Sequence, residues 1–351
     1  MVYAQINTTY YCGIDLHARS MFVCVMDKAG KIIFHRDVPN DFKVFLEFMK
    51  SFLPHLAVGV ESTYNWYWLA DGCREAKIPF YLGHALYMKA IHGGKKKNDR
   101  LDSKTIADLM RANLFPLAYV YPKEMRATRD LLRRRHRFVS LRARALSHIQ
   151  LIFVQQGMLD IESRDVKNKK TRRTLLDKLP HPDLKMTVET DLNLIEALDP
   201  MIASMEQQIR AQAKHHDRKA LEVLLSTPGI GDMLALTILY EIHTVSRFES
   251  PQQLSSYGRV VKCERTSMGK TTDRGNQKIG NPHLKWAFGE IIIHAPKSAP
   301  RIKRHYEQLQ AKFGPGRAKS IIAHEFAVAI YFMLKNGQVF DELRFVQARM
   351  K

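Results

Sequence analysis

Four carboxylates in this chain stand where a divalent cation could use them. Asp15 closes the apolar run Tyr10-Tyr11-Cys12-Gly13-Ile14, and Glu61 closes Ala57-Val58-Gly59-Val60. Asp99 and Asp102 lie three residues apart in Asn98-Asp99-Arg100-Leu101-Asp102. The first two end buried strands by their pattern, and the last two share one face if a helix begins there. Hard cations such as Mg²⁺ take oxygen ligands, so acids drawn from separate elements suit chemistry on a phosphate. Each acid also has a structural reading: Asp15 as a turn cap, Glu61 as the partner of a lysine, Asp99 as an N-cap with Asp102 in the first turn. The combination carries the case, because acids gathered near strand ends are costly unless a cation or basic groups compensate.

A second segment, Ser255 to Lys270, is polar and punctuated by glycine, so a loop is expected there. Gly275 and Gly280 keep the chain irregular until a helix starts at Pro282 to Leu284. A hydroxyl such as that of Ser267, set among Arg265, Lys270, Arg274 and Lys278, could attack a phosphodiester while the cations stabilise the developing charge. A serine in a basic loop more often only binds phosphate. Met268-Gly269-Lys270-Thr271 has the close of a P-loop, but Glu264 and Arg265 stand where its first glycine belongs, so no nucleotide cofactor is expected. His17, after Asp15, and His324 lack the His-Glu-x-x-His spacing of a metalloprotease and read as ordinary residues.

The elements that must position these groups are readable in outline. Strands are expected near 10–16, 20–27, 31–38, 56–61 and 79–82, and the turn Asp27-Lys28-Ala29-Gly30 makes the first three an antiparallel meander. Helices are expected over 41–52 and 66–76, giving an α/β unit with a mixed sheet. Beyond Asp99 the β pattern fades and an all-α part follows. Residues 123–156 form a long basic helix by spacing, while the charged stretch 164–173 reads as a loop that a phosphate backbone would order. In residues 184–225, Leu192, Ile195, Leu198, Ile202, Met205 and Ile209 recur at helical spacing, compatible with a dimerising coiled coil or with an intramolecular helix hairpin. Near Leu221 a further domain is expected. It opens on Thr227-Pro228-Gly229-Ile230-Gly231, the form of a helix-hairpin-helix in which Gly229 and Gly231 expose backbone N–H groups to a phosphate; a Pro-Gly helix break without a ligand is the plainer alternative. The expected domains are therefore 1–120, 121–220 and 221–351.

The 351 residues carry 55 Lys+Arg against 35 Asp+Glu, a formal net charge of +20. Such an excess points to a polyanionic partner, most simply nucleic acid. About half of it lies in residues 123–180, which hold Arg133, Arg134 and Arg135; Lys95, Lys96 and Lys97 stand just before the Asp99 acids, where they could hold a phosphate backbone or simply be solvated. No apolar run approaches the ~20 residues that span a bilayer, and no secretory leader is visible, so no membrane partner is expected and the cytoplasm is the default compartment. Cys12, Cys24, Cys73 and Cys263 show no paired spacing and are expected to be core thiols.

Taken in order, Gly13-Ile14-Asp15-Leu16-His17, Gly59-Val60-Glu61-Ser62-Thr63, Asn98 to Asp102, Thr227 to Gly231, Ser267-x-Gly-Lys and Lys278 to Lys285 resemble the insertion sequence 110 transposase family, with the later motifs closest to its 1111 subgroup. The resemblance implies a RuvC-like, RNase H-like N-terminal domain with the acid set Asp15, Glu61, Asp99 and Asp102. It also implies a C-terminal transposase domain with Ser267 as nucleophile. It further implies DNA as substrate, Mg²⁺ (or Mn²⁺) as cofactor, a structured guide RNA, and homodimers assembling to homotetramers in which one subunit's acids meet another's serine, in a bacterial or archaeal cell at the nucleoid. Many members have Ser-Ser-Gly where this chain has Thr266-Ser267-Met268-Gly269, which makes Thr266 the fallback nucleophile. Two rival readings stand beside this one: a metal-dependent junction endonuclease that hydrolyses DNA with water, and a non-catalytic nucleic-acid-binding scaffold.

Overall fold

The computed structural model describes residues 2–91, 98–261, 264–267, 270–274 and 279–347. They form two units, Met1–Glu124 and Met125–Lys351.

In the first unit, apolar alternation broken by turn residues produces the expected meander. Strands β1 (Tyr10–Leu16), β2 (Ser20–Asp27) and β3 (Ile32–Pro39) pair antiparallel in succession. Gly30 closes the second turn at φ +86°, donating its N–H to the Asp27 carbonyl over 3.1 Å. Helix α1 (Phe42–Met49) starts where the Asp41 carboxylate accepts from the Lys43 and Val44 N–H groups. Strand β4 (Leu56–Glu61) then runs parallel to β1, and after α2 (Tyr67–Glu75) strand β5 (Phe80–Gly83) runs parallel to β4. The sheet order is β3-β2-β1-β4-β5, with every strand within a residue of its expected bounds. Cys12, Cys24 and Cys73 are buried free thiols, as expected, and burial pushes Cys73 up to about 12; Cys263 lies outside the described residues.

Helices α3 (Ala85–Ile91) and α4 (Asp99–Arg111) complete this unit. Asn98 caps α4, its side-chain oxygen accepting from the Arg100 N–H at 3.0 Å. Ser103, Ile106, Ala107 and Met110 form the buried face of α4. Burial of Ile106, Leu109 and Met110 contributes roughly 1.5–3 kcal/mol per side chain.

Among its described residues, the second unit is helical apart from one ribbon. Its first part comprises α5 (Lys123–Gln155, beginning two residues before the unit boundary), α6 (Ser163–Lys167) and α7 (Pro182–Ala213). The long basic helix is as expected. The stretch 164–173 is not simply a loop: Val166 of α6 is buried, Arg172 is buried beside Glu196 and Asp199, Lys169 pairs with Asp199 at 2.9 Å, and Arg173 pairs with Glu196 at 2.6 Å. Acids of α7 thus supply the anionic partner that had been assigned to a phosphate backbone. The apolar stripe of α7 is buried within the chain; Val188, Leu192 and Ile195 share a core with Ile149, Ile152 and Phe153 of α5, which is the helix-hairpin arrangement.

The remaining elements are α8 (Arg218–Leu225), α9 (Asp232–Ile242), α10 (Pro251–Tyr257), β6 (Glu264–Ser267), β7 (Lys270–Arg274), α11 (Pro282–Ser298), α12 (Pro300–Phe313), α13 (Pro315–Asn336) and α14 (Glu342–Gln347). Proline begins α7 and α10 to α13, where its missing N–H costs nothing. Leu224, Ile238, Leu254, Phe288, Ile291, Phe326 and Ile330 lie in their common core. This unit spans the second and third expected domains apart from residues 121–124. The serine segment departs from expectation. It is a two-stranded antiparallel ribbon rather than a loop, pairing Thr266 with Thr271 and Ser267 with Lys270. Such a ribbon rests on backbone pairing and lacks the apolar alternation that marks a half-buried strand.

Candidate metal centre and the serine segment

Strand register and two glycines bring Asp15 and Asp99 together, with Glu61 in register beside Asp15 and Asp102 one turn along the helix; neither Glu61 nor Asp102 belongs to the group of donor atoms that meets. Gly13 pairs with Gly59 and Ile14 with Val60 across the parallel β1/β4 ladder. The next residues, Asp15 and Glu61, therefore occupy equivalent positions on adjacent strands. A Cβ on Gly13 would overlap the Ser103 carbonyl and the backbone of Ala107, and one on Gly59 would overlap the Met110 side chain. Bare glycine backbone thus lets α4 lie directly on the two strands, and its first turn, with Asp99 and Asp102, starts over the β1 end. From β3, His35 Nε2 bonds the Arg100 carbonyl at 2.9 Å and stands 3.3 Å from Ser103 Oγ, fixing the start of the helix from the other side. Burial lowers the His35 pKa, consistent with a neutral ring that donates there.

The imidazole of His17 enters the same cluster. Its Nε2 lies 3.2 Å from Asp15 Oδ2 and 3.2 Å from Asp99 Oδ2. Donor atoms of Asp15, His17 and Asp99 all fall within 4.8 Å of one another, a group that could hold a metal ion. The Asp15 side chain is 14% exposed and that of Asp99 56%, so the cluster opens outward from the strand ends. The His17 main chain is pinned: its carbonyl accepts from Asn40 Nδ2 at 2.8 Å and Asn65 Nδ2 at 2.6 Å, and its N–H donates to Ser20 at 3.0 Å. Thr63 Oγ1 in turn donates to Asn65 Oδ1. Sequence reading set His17 aside for want of a protease motif. The usable signal was Asp-x-His at the end of a strand, since alternate residues point to one face.

In the second unit the ribbon bearing Ser267 is followed in sequence by Asn281 at the start of α11. Asn281 donates its N–H to the Tyr257 carbonyl at 2.6 Å and its side-chain amide to Tyr257 Oη at 3.1 Å and to Glu241 Oε2 at 2.7 Å. Its side-chain oxygen also caps α11 through His283 and Leu284. Glu241 is 2% exposed and grips Arg133 in a two-pronged pair at 2.6 and 2.8 Å. Burial opposes its ionisation, but hydrogen bonds and charge from Arg133, with the Asn281 amide, outweigh that and hold its pKa below the ordinary carboxylate value.

The expected nucleic-acid contacts fall into different settings. Arg133 is paired with Glu241 and Arg135 with Glu206, whereas Arg134 is exposed and lies over the Phe138 ring at 4.9 Å. Gly229, at φ +83°, is packed so closely on α11 that a Cβ would stand 2.5 Å from the Ala295 nitrogen; Gly231 has open space and is the N-cap of α9. Arg265 and Lys270 lie on β6 and β7, while Lys95, Lys96, Lys97 and Lys278 lie outside the described residues. Among the described residues no helix is long and apolar enough to cross a membrane.

A five-stranded mixed sheet with acids at the ends of two adjacent parallel strands, a helix bringing two more, and a mostly helical remainder have the layout of an RNase H-like DEDD transposase domain with a helical C-terminal part. Comparison with known proteins agrees. Residues 12–156 match the DEDD transposase domain of IS110, and residues 221–307 match the transposase domain of the IS116/IS110/IS902 family. The transposase for insertion sequence element IS1111A of Coxiella burnetii (strain RSA 493 / Nine Mile phase I) is 24% identical over 348 residues, covering 93% of this chain and 90% of the relative. Protein y4qE of Sinorhizobium fredii (strain NBRC 101917 / NGR234) is 26% identical over 194 residues, covering 55% of this chain and 46% of the relative. The chain belongs to the IS110 family of insertion-sequence transposases, and membership implies an enzyme that cleaves and transfers DNA.

Proposed function

We propose that this transposase is an RNA-guided DNA recombinase that cuts and rejoins the ends of its element and the target through a covalent phosphoserine. The observation that carries the reading is the gathering of Asp15 and Asp99 around one point, with Glu61 in register beside Asp15. Asp15, Glu61, Asp99 and Asp102 fit a divalent ion by their chemistry, since they offer hard oxygen donors from three elements at an open site. Bound there, Mg²⁺ (or Mn²⁺) supplies positive charge to the scissile phosphate.

Ser267 Oγ attacks the phosphorus. A serine O–P bond forms, the bond from phosphorus to the 3′ oxygen breaks, and the serine proton passes by way of solvent to that oxygen, leaving a free 3′ hydroxyl. A 3′ hydroxyl from another end later attacks the phosphoserine and restores the serine. The phosphodiester bond is conserved throughout, so no nucleotide is consumed. Thr266, next to Ser267, is a more hindered second nucleophile. The net charge of +20 supports polyanionic partners, which in this reading are DNA and a structured guide RNA; homodimers that pair into tetramers complete the reading.

The donor atoms of Asp15, His17 and Asp99 gather without Ser267, and this favours one rival, hydrolysis by water in the manner of a junction endonuclease. The test incubates the protein, the RNA that copurifies with it and labelled element-end DNA with Mg²⁺. An SDS-resistant protein–DNA adduct is expected in the wild type and absent in Ser267→Ala and Asp15→Ala. Cleavage without an adduct, unchanged in Ser267→Ala, establishes hydrolysis instead. Binding without any cleavage leaves only a scaffold.

A further inference from the structure

We infer that His17 is itself a ligand of the divalent ion and biases the site toward a first-row transition ion such as Mn²⁺ over Mg²⁺. The inference rests on the metal site proposed above and deepens it, because the family's four acids are all oxygen donors.

Three observations support it. His17 Nε2 is equidistant from Asp15 Oδ2 and Asp99 Oδ2, at 3.2 Å each, although those acids come from different elements. Ligands at about 2.1 Å from one ion and at right angles to each other stand about 3.0 Å apart, so these separations match neighbouring positions in one coordination shell. The ring is also aimed by its own backbone: Asn40 and Asn65 both bond the His17 carbonyl, so the residue two beyond Asp15 keeps the same side of the strand end. Finally, the donor type is diagnostic. Mg²⁺ gains little from an imidazole and demands oxygen ligands, whereas transition ions gain from a nitrogen donor.

Metal-stripped full-length protein is titrated with Mn²⁺ and then competed with Mg²⁺, following free Mn²⁺ by electron paramagnetic resonance. Pulsed measurements on the bound ion read any directly coupled ¹⁴N. Wild type is expected to show one coupled imidazole nitrogen and to hold Mn²⁺ about tenfold or more tighter than Mg²⁺. His17→Ala is expected to lose the coupling and about tenfold of the Mn²⁺ affinity, with Mg²⁺ affinity changed less than about twofold. The coupling in wild type is informative whether or not the variant folds, and thermal melts check the variant.

If Asp15→Ala abolishes binding while wild type lacks ¹⁴N coupling, or while folded His17→Ala keeps its Mn²⁺ preference, the metal site stands and the role of His17 is overturned. If wild type binds no Mn²⁺, the metal site and the inference fall together.

Discussion

Gly13 and Gly59 face each other across the β1/β4 ladder, and α4 rests on both: Gly13 against the backbone of Ser103 and Ala107, Gly59 against the Met110 side chain. This contact delivers Asp99 and Asp102 to the strand ends. The two positions differ in what must yield. In Gly13→Ala the helix backbone has to move away from the sheet, with an expected loss of about 1–3 kcal/mol in denaturant unfolding and loss of DNA cleavage. In Gly59→Ala a methionine tip can swing aside, so the loss is smaller. Equal losses from the two variants count against this account of how α4 is seated.

The Arg133–Glu241–Asn281 network predicts a different failure. Glu241→Gln leaves the Arg133 guanidinium partly buried without its counter-charge, an expected loss of about 3–5 kcal/mol. Because Asn281 joins Glu241 to Tyr257, and Tyr257 and Asn281 lie on either side of the ribbon in sequence, adduct formation should fall in any preparation that remains folded. Chemical denaturation paired with the adduct assay reads both; a variant with unchanged stability shows that the pair contributes nothing net.

The arginine triplet separates charge that is already paired from charge that faces outward. Arg134→Ala is expected to weaken DNA binding and lower the salt slope by about 1, with an unchanged melting temperature. Arg133→Ala is expected to lower the melting temperature first, because its partner is Glu241 rather than a phosphate. Binding isotherms across a salt series, set beside thermal melts, make the comparison.

Stability should also fall on acidification. Burial lowers the pKa of His136, with Arg135 adding to the effect, and of His283, where Glu241 opposes and Arg133 reinforces it. Folded-state values below the ordinary 6.5 mean that the unfolded chain binds protons which the folded chain refuses. The contribution is complete above about pH 6.5 and is lost as pH drops through the folded values. Denaturant midpoints at pH 7.5 and 5.5 measure the loss, and His136→Asn combined with His283→Asn should flatten it; an unchanged slope in the double variant removes these residues as its source.

Much of the first unit could be read in the order of residues. Alternation and turn chemistry are local, so five strands and the meander followed from short windows. The four acids stood out as candidates because two end such windows and two stand three residues apart. His17 did not, since its ring meets Asp99, an acid of a helix more than eighty residues away, only in the folded chain. The ribbon around Ser267 was missed for the opposite reason: its residues are polar and do not alternate with apolar ones, so they leave no periodic mark.

Charge gave the clearest division between the two levels. Composition alone determined that the chain is strongly basic and suited to a polyanion. Only the folded chain decided which cations remain available, because Arg133, Arg135, Arg142 and Arg172 are met by acids of α7 and α9 that are distant in sequence. An ion pair depends on separation in space, and sequence distance carries no information about that until the helices have packed.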